Sequence, residues 1–340
     1  MKDDDKGLIS LSHGDGGIKT GELIKNTILK HLGNEILDSL EDSAKIKTEL
    51  PGTLAFTTDS FVVDPIFFPG GDIGKLCICG TINDLVTTGC RPLALSLSLM
   101  LEEGLMISEL EKIILSIKEV LSRSGIKIVT GDTKVVEKGS VDRIFINTAG
   151  IGIIRKGIDI SPSKIKEGDA IIINGSIAEH GLAILSTRDG FDFSTDIVSD
   201  CAPLDSLVND MLEASGNIHA LRDATRGGLA TVLVEIANTS GKRFDIFEEN
   251  IPLKKEARGL CEFLGLDPLY IANEGKMLAF VGKEDAQEVL KAMKNNKFGQ
   301  DSRIVGKVSE KKDGLVVLNT SLGTKRMLDL QYGEQLPRIC

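Results

Sequence analysis

Five short stretches of this 340-residue sequence set an aspartate beside glycine or small polar residues. They are His13-Gly-Asp15-Gly-Gly17, Thr57-Thr-Asp59-Ser60, Asn83-Asp84, Gly131-Asp132-Thr133-Lys134 and Asp223-Ala-Thr-Arg226-Gly-Gly228. One aspartate in a turn is ordinary, because its side chain caps its own backbone. Together they form a set of hard oxygen ligands suited to magnesium, with glycine loops able to approach phosphates. Magnesium takes one or two carboxylates and shares the rest of its shell with nucleotide phosphates, so not every aspartate need bind it directly. A second feature is the end of the sequence, Pro337-Arg-Ile-Cys340. A carboxylate next to the thiol raises its pKa, and the thiolate is the reactive form. A cysteine so placed on a long arm suits delivery into a site better than fixed nucleophilic catalysis.

Other chemistries find no support. Gly70-Gly-Asp-Ile-Gly-Lys75 lacks the spacing and the hydroxyl of a Walker loop, and no G-x-G-x-x-G follows a strand. The four histidines have no zinc spacing. His13, beside the glycine loop, is a candidate ligand contact, whereas His31, His180 and His219 read as structural. Cys77 and Cys79 read as small buried hydrophobes.

The elements that must position these residues alternate between strand and helix, so the class is α/β or α+β. Thr53–Val63 alternates as a strand, and the Pro69-Gly70-Gly71-Asp72 turn precedes a helix over 74–89 with Leu76, Cys79, Ile82, Leu85 and Val86 on one stripe. Gly89 suits the left-handed position that ends it. Pro92–Leu101 is a second strand. Ser108 and Glu111 form a capping box ahead of a helix carrying Leu110, Ile113, Ile114, Ile117 and Leu121. Strands are expected at Ile126–Thr130 and Arg143–Ile154, and the chain turns polar around Lys156–Gly168, where the domain boundary is placed. Beyond it come a strand at Ala170–Asn174, helices near Ala178, Leu204–Ala214 and Leu229–Asn238, and strands at Lys276–Val281, Arg303–Val308 and Leu315–Leu318. Gln331–Cys340 has no apolar periodicity and reads as a mobile tail.

The net charge of −10, from 40 basic and 50 acidic residues, argues against a DNA-coating surface. The lack of tryptophan and the two tyrosines argue against a stacking platform for single-stranded nucleic acid. No apolar run reaches the ~18 residues of a membrane helix. Six cysteines without regular spacing make no disulfide framework, which points to the reducing cytoplasm. Met1–Gly7 is acidic and has no apolar core, so it is read as a tag or disordered leader rather than a signal peptide.

The motifs in combination resemble the HypE family, the carbamoyl dehydratases of nickel–iron hydrogenase maturation, along nearly the whole chain. The residues that carry this are 11–17 (LSHGDGG), 55–63 (AFTTDSFVV), 67–75 (FFPGGDIGK), 131–136 (GDTKVV), 223–229 (DATRGGL), 273–276 (NEGK) and the terminal Pro337-Arg-Ile-Cys340. Asp64 departs from the small or neutral residue expected there.

The resemblance implies the two-domain PurM-like fold of the aminoimidazole-ribonucleotide synthetase superfamily. The N-terminal domain would span 8–158, the C-terminal domain 159–330 and the tail 331–340. The N-terminal domains would pair into a homodimer with a barrel-like sheet and ATP near the interface. A partner carbamoyltransferase, HypF, would place a carboxamide on Cys340. ATP-dependent dehydration would turn it into a thiocyanate, and the cyano group would pass to iron on a HypC–HypD scaffold. Glu274 is then the base, Lys134 the cation on the carboxamide, and Asp59, Asp84 and Asp223 handle magnesium. ATP would be held by His13, Gly14, Asp15, Gly16, Gly17, Asp59, Asn83, Asp84, Gly131, Asp132, Thr133 and Arg226. The residue types suit that chemistry: amide oxygen is a poor leaving group until phosphorylated, phosphoryl transfer needs positioning and positive charge, and the amide protons need a base. Rival readings are a selenophosphate synthetase, which wants a reactive Cys or Sec in the N-terminal glycine loop, a thiamine-monophosphate kinase, which gives Cys340 no purpose, and a non-catalytic carrier.

Overall fold

The computed structural model describes residues 7–13, 18–39, 52–188, 196–330, 336 and 338–340. The Gly14–Gly17 loop therefore lies outside the described residues, as do Met1–Lys6 and most of the start of the tail.

The first half is built on a four-stranded sheet: β1 (Thr53–Phe61), β2 (Cys90–Glu102), β3 (Lys127–Val136) and β4 (Ile144–Ile154), in the spatial order β1-β4-β2-β3. Only β2 and β3 run parallel. Helices α1 (Ile73–Val86) and α2 (Ile107–Ser124) bring the apolar side chains that cover one face. The alternation of β1 puts Ala55, Thr57, Asp59 and Phe61 on the covered face and leaves Leu54 and Phe56 exposed by 69% and 71% on the other.

The second half is a seven-stranded sheet: β5 (Ala170–Ile173), β6 (Ile218–Asp223), β7 (Phe244–Phe247), β8 (Met277–Val281), β9 (Arg303–Val308), β10 (Val316–Asn319) and β11 (Lys325–Leu328), in the order β11-β10-β7-β9-β5-β8-β6. β5 and β8 are buried throughout, because both faces are covered. Ile171, Ile173, Leu278 and Phe280 pack on one side with the helix Gly228–Ser240, and Ile172, Met277 and Ala279 on the other with the helix Asp205–Ala214. Among the described residues no helix is long and apolar enough to cross a membrane.

Three local expectations are corrected. The capping box does not form: α2 starts at Ile107 with Met106 at its N-cap, and the Ile107 N–H is satisfied by the Gly7 carbonyl at 2.8 Å. Glu111 instead pairs with Lys30 and His31. α1 stops at Val86, three residues short of Gly89, whose φ of 72° serves the turn into β2. The strand expected to end at Thr130 runs on to Val136, because β2 pairs with it as far as Glu102. The 131–134 motif therefore lies inside a strand rather than after one.

Candidate active site

The carboxylate group is assembled from three places. Asp59 stands on the helix-covered face of β1, and Thr57, two residues earlier on that face, donates its hydroxyl to Asp84 of α1 at 3.0 Å. Asp223 ends β6 and comes to the same place from the second half. Burial raises the pKa of all three; Asp59 adds to the rise at Asp84, and Asp223, facing both Asp84 and Asp59, is pushed up to about 7.

After Asp223 the chain enters α-helix at Gly228. Gly227 and Gly228 have φ of 76° and 64°, and a side chain on Gly228 would meet the carbonyls of Leu269 and Ile271 at 2.6 Å. This tight loop presents Arg226, whose guanidinium donates to the Cys340 sulfur at 3.1 Å.

Glu274 is presented by a turn pinned from beneath. Asp200, whose side chain is buried, accepts from the Glu274 N–H at 3.1 Å, the Gly275 N–H at 3.0 Å and the Lys276 ammonium at 2.8 Å. Burial would raise the Asp200 carboxyl, but Lys276 and these donors outweigh it and hold it below the usual range. A side chain on Gly275 would lie 2.0 Å from the Asp200 carbonyl. Asn273 ties the turn to its surroundings, accepting from Ala178 N–H at 2.8 Å and donating to the Ala224 carbonyl at 2.7 Å. Glu274 itself is 3% exposed, and its Oε1 has no hydrogen-bond partner among the described residues. Its pKa is driven well up, by burial first and then by Cys201, Asp223, Asp200 and Asp59. Burial and the nearby Glu274 likewise push the Cys340 thiol up to about 12, with Arg226 working against them.

Two AIR synthase related domains match the chain, the N-terminal one over residues 40–154 and the C-terminal one over 166–319. Over 334 residues the chain is 44% identical to carbamoyl dehydratase HypE of Azotobacter vinelandii, with 98% of each protein covered. The chain belongs to the HypE family of carbamoyl dehydratases. A crystal structure of the hydrogenase maturation protein HypE in complex with ATP superposes on it with a TM-score of 0.92 at 45% identity, covering 97% of this chain and 99% of that one. The HypE–HypF complex superposes with a TM-score of 0.80 at 45% identity over 91% of this chain and 99% of that one. The two-domain AIR-synthase-type α/β fold and the dehydratase class are thereby shown, and the four-stranded sheet of a single chain stays open.

Against this HypE-family frame, the residues singled out in the sequence divide. Asp59, Asp84, Asp223, Arg226, Glu274 and Cys340 converge. Lys134 and Asp132 do not: the register places Asp132 in a row with Ser98, Asn147 and Ser60, on the face opposite Asp59. Lys134 lies on edge strand β3, three strand spacings or ~14 Å from β1, and pairs with Asp132 at 3.0 Å. Thr133 falls on the covered face of that same edge strand. Gly131 has a packing reason to be glycine, since a Cβ there would lie 2.4 Å from the Leu97 carbonyl. His13 is buried beside β3, its ring bonded to Ser10. Asn83 corrects an expectation: it is 1% exposed, and its amide is engaged by the Ala202 and Glu274 carbonyls and the Leu204 N–H, so it supports the Glu274 turn from inside and does not face the cleft.

No three His, Cys, Asp or Glu among the described residues converge closely enough to cage a metal ion by themselves. Asp59, Asp84 and Asp223, two of them raised by the charge of their neighbours, nevertheless fit magnesium, which draws most of its shell from phosphates and water. Sequence reading missed Asp200, and it met Asn273 only as the first residue of the 273–276 motif, without a role.

Proposed function

We propose that this dehydratase converts a carboxamide carried on the Cys340 sulfur into a thiocyanate at the expense of ATP, as a source of the cyanide ligands of nickel–iron hydrogenase. The observation that carries this reading is the seating of the last residue's thiol against Arg226 and beside Glu274, a buried carboxyl with an unpartnered oxygen. The carboxamide oxygen attacks the terminal phosphoryl group of ATP and departs as phosphate, while both amide hydrogens leave as protons; the net products are the thiocyanate, ADP and phosphate. Glu274 is the group placed to take a proton from nitrogen. With the thiol docked, burial and the surrounding carboxylates drive its pKa well above the usual carboxylate range, so positive charge that offsets those carboxylates would favour its basic form. Magnesium, held by some of Asp59, Asp84 and Asp223, would supply that charge and polarise the phosphates. The ATP complex of the HypE relative supports the nucleotide; Arg226 and the 14–17 loop would contact its phosphates.

The HypE–HypF complex supports a HypF-type carbamoyltransferase as the enzyme that loads Cys340. The cyano group would then pass to iron on a HypC–HypD scaffold. For loading, Arg338–Cys340 must leave this site. Lys134 could contact a carboxamide only from a second copy of the chain. The exposed Leu54 and Phe56 on edge strand β1 support a homodimer through the N-terminal sheets.

The test is intact mass spectrometry after incubation with carbamoyltransferase, carbamoyl phosphate and ATP. The expected sequence is a gain of one carbamoyl group on the C-terminal peptide, then loss of one water from that peptide. Retention of the water through many ATP turnovers would overturn the reading.

A further inference from the structure

The tail is gripped by its main chain, from both domains. On one side the Val62 N–H donates to the Cys340 oxygen and the Asp64 N–H to the Arg338 oxygen, each at 3.2 Å, the pattern of an antiparallel pair extending β1. On the other side stand α3 (Glu179–Leu185) and the arginine just beyond it. His180 is fully buried; its Nε2 is 2.9 Å from the Ile339 carbonyl and its Nδ1 2.7 Å from the Ser199 hydroxyl. A carbonyl only accepts, so Nε2 carries the hydrogen and Nδ1 accepts from Ser199. This pattern needs only the neutral ring, the form that burial favours. Arg188 donates through Nη2 to the Arg338 carbonyl at 2.9 Å and through Nε to the Asp64 carbonyl at 3.0 Å. Next to His180, a side chain on Gly181 would crowd Ile271 at 2.6 Å and touch Leu336 of the tail at 3.4 Å. Ile339 is 2% exposed in the core of the first half. Arg338 sits at φ 54°, a left-handed conformation that a non-glycine residue keeps only when its surroundings impose it.

We propose that His180 and Arg188 are positioning residues for the dehydration: by holding the carbonyls of Ile339 and Arg338 they set the Cys340 sulfur against Arg226 and Glu274. This rests on the reaction proposed above. Neither residue reaches the reacting atoms. Both read backbone, so the grip follows the path of the tail and is indifferent to what the sulfur carries.

The test uses the full-length chain with Arg188→Ala, Arg188→Lys and His180→Gln. Arg188 lies near the surface, so its variants keep the test usable if His180→Gln folds poorly. Loading by the carbamoyltransferase and ATP affinity should match wild type. Dehydration of the loaded thiocarboxamide in a single turnover should slow roughly tenfold in Arg188→Ala, the weight of one charge-assisted hydrogen bond, with partial recovery in Arg188→Lys. Hydrogen exchange at the Val62 and Asp64 amides, followed on the same unloaded samples, should quicken by a similar factor. Wild-type exchange in both Arg188→Ala and His180→Gln overturns the grip, whatever the chemistry does. Quickened exchange with wild-type dehydration overturns the positioning role. A wild-type chain that loads and never loses water instead overturns the reaction, and the exchange data still judge the grip.

Discussion

Asn273–Lys276 and Arg338–Cys340 meet at one site and are held in opposite ways. The first is fastened by a buried ion pair, two backbone donors on Asp200, and both ends of the Asn273 amide. The second rests on hydrogen bonds to its main chain, one buried isoleucine and partly exposed side-chain contacts, among them the Arg338–Asp142 ion pair and the Arg226–Cys340 hydrogen bond. Removing one partner of a buried ion pair costs about 3–5 kcal/mol, because the other charge is stranded. A main-chain hydrogen bond exchanged for water costs ~1 kcal/mol, and exposing an isoleucine ~2 kcal/mol. The tail strands no buried charge when its contacts are exchanged for water, so it can leave with the fold intact, whereas the turn cannot give up Asp200 without leaving the Lys276 ammonium buried and unpaired. The division matches the proposed labour: a carboxyl whose pKa depends on fixed surroundings belongs on the turn, and a sulfur that must visit another enzyme belongs on the tail.

The sharpest break in that comparison comes from its movable side. Cys340→Ala should abolish carbamoyl loading while folding and ATP binding stay as in wild type; loading that persisted by intact mass would move the acceptor elsewhere. On the fixed side, Glu274→Gln keeps the size and loses the basic form. It should load normally and accumulate thiocarboxamide, with dehydration slowed by ~10²–10⁴, the usual contribution of a general base. Mass spectrometry of the C-terminal peptide showing thiocyanate at a near wild-type rate would take Glu274 out of the mechanism. Asp200→Asn should do its damage through the fold. With Lys276 left without its anion, stability should fall by about 3–5 kcal/mol, read as a lower denaturant midpoint. A variant as stable as wild type would show that the turn is not fastened as described.

Much of the scaffold could be read from periodicity. The stripe of Leu76, Cys79, Ile82 and Leu85 is buried in α1, though Cys77, Ile78, Thr81 and Asn83 on its other sides are buried too, and the alternation of β1 says which residues share a face with Asp59. What could not be read depends on register and on distant contacts. Asp132 and Lys134 carry the same kinds of charge as the converging group, but their face is set by the pairing of β3 with β2, and a shift of one residue would reverse it. Asn83 sits next to Asp84 in sequence, yet a step of one residue along a helix turns it by about 100° into the interior. His180 reads as a core histidine, and it is one by burial; that it touches Ile339, 159 positions later, belongs to the tertiary fold.

The smallest expected effect concerns the carboxylates on the fixed side. Asp223 titrates near 7 in the folded protein, raised by burial and then by Asp84 and Asp59, against about 4 in an unfolded chain. Between those values the folded state holds a proton that the unfolded state has released. Stability of the nucleotide-free, metal-free protein must therefore fall as pH rises through this window, and the contribution is gone above 7. The full displacement corresponds to roughly 4 kcal/mol at most, and relaxation of the cluster will reduce it. Asp223→Asn cannot ionise, so the loss should vanish. In the presence of a chelator the variant should melt close to wild type at pH 5 and a few degrees above it at pH 8, while binding magnesium–ATP more weakly. Melting curves with the same pH dependence in both proteins would mean that Asp223 ionises freely and that the three carboxylates do not crowd one another. Gained stability together with lost nucleotide affinity would show that the repulsion is kept because a cation relieves it.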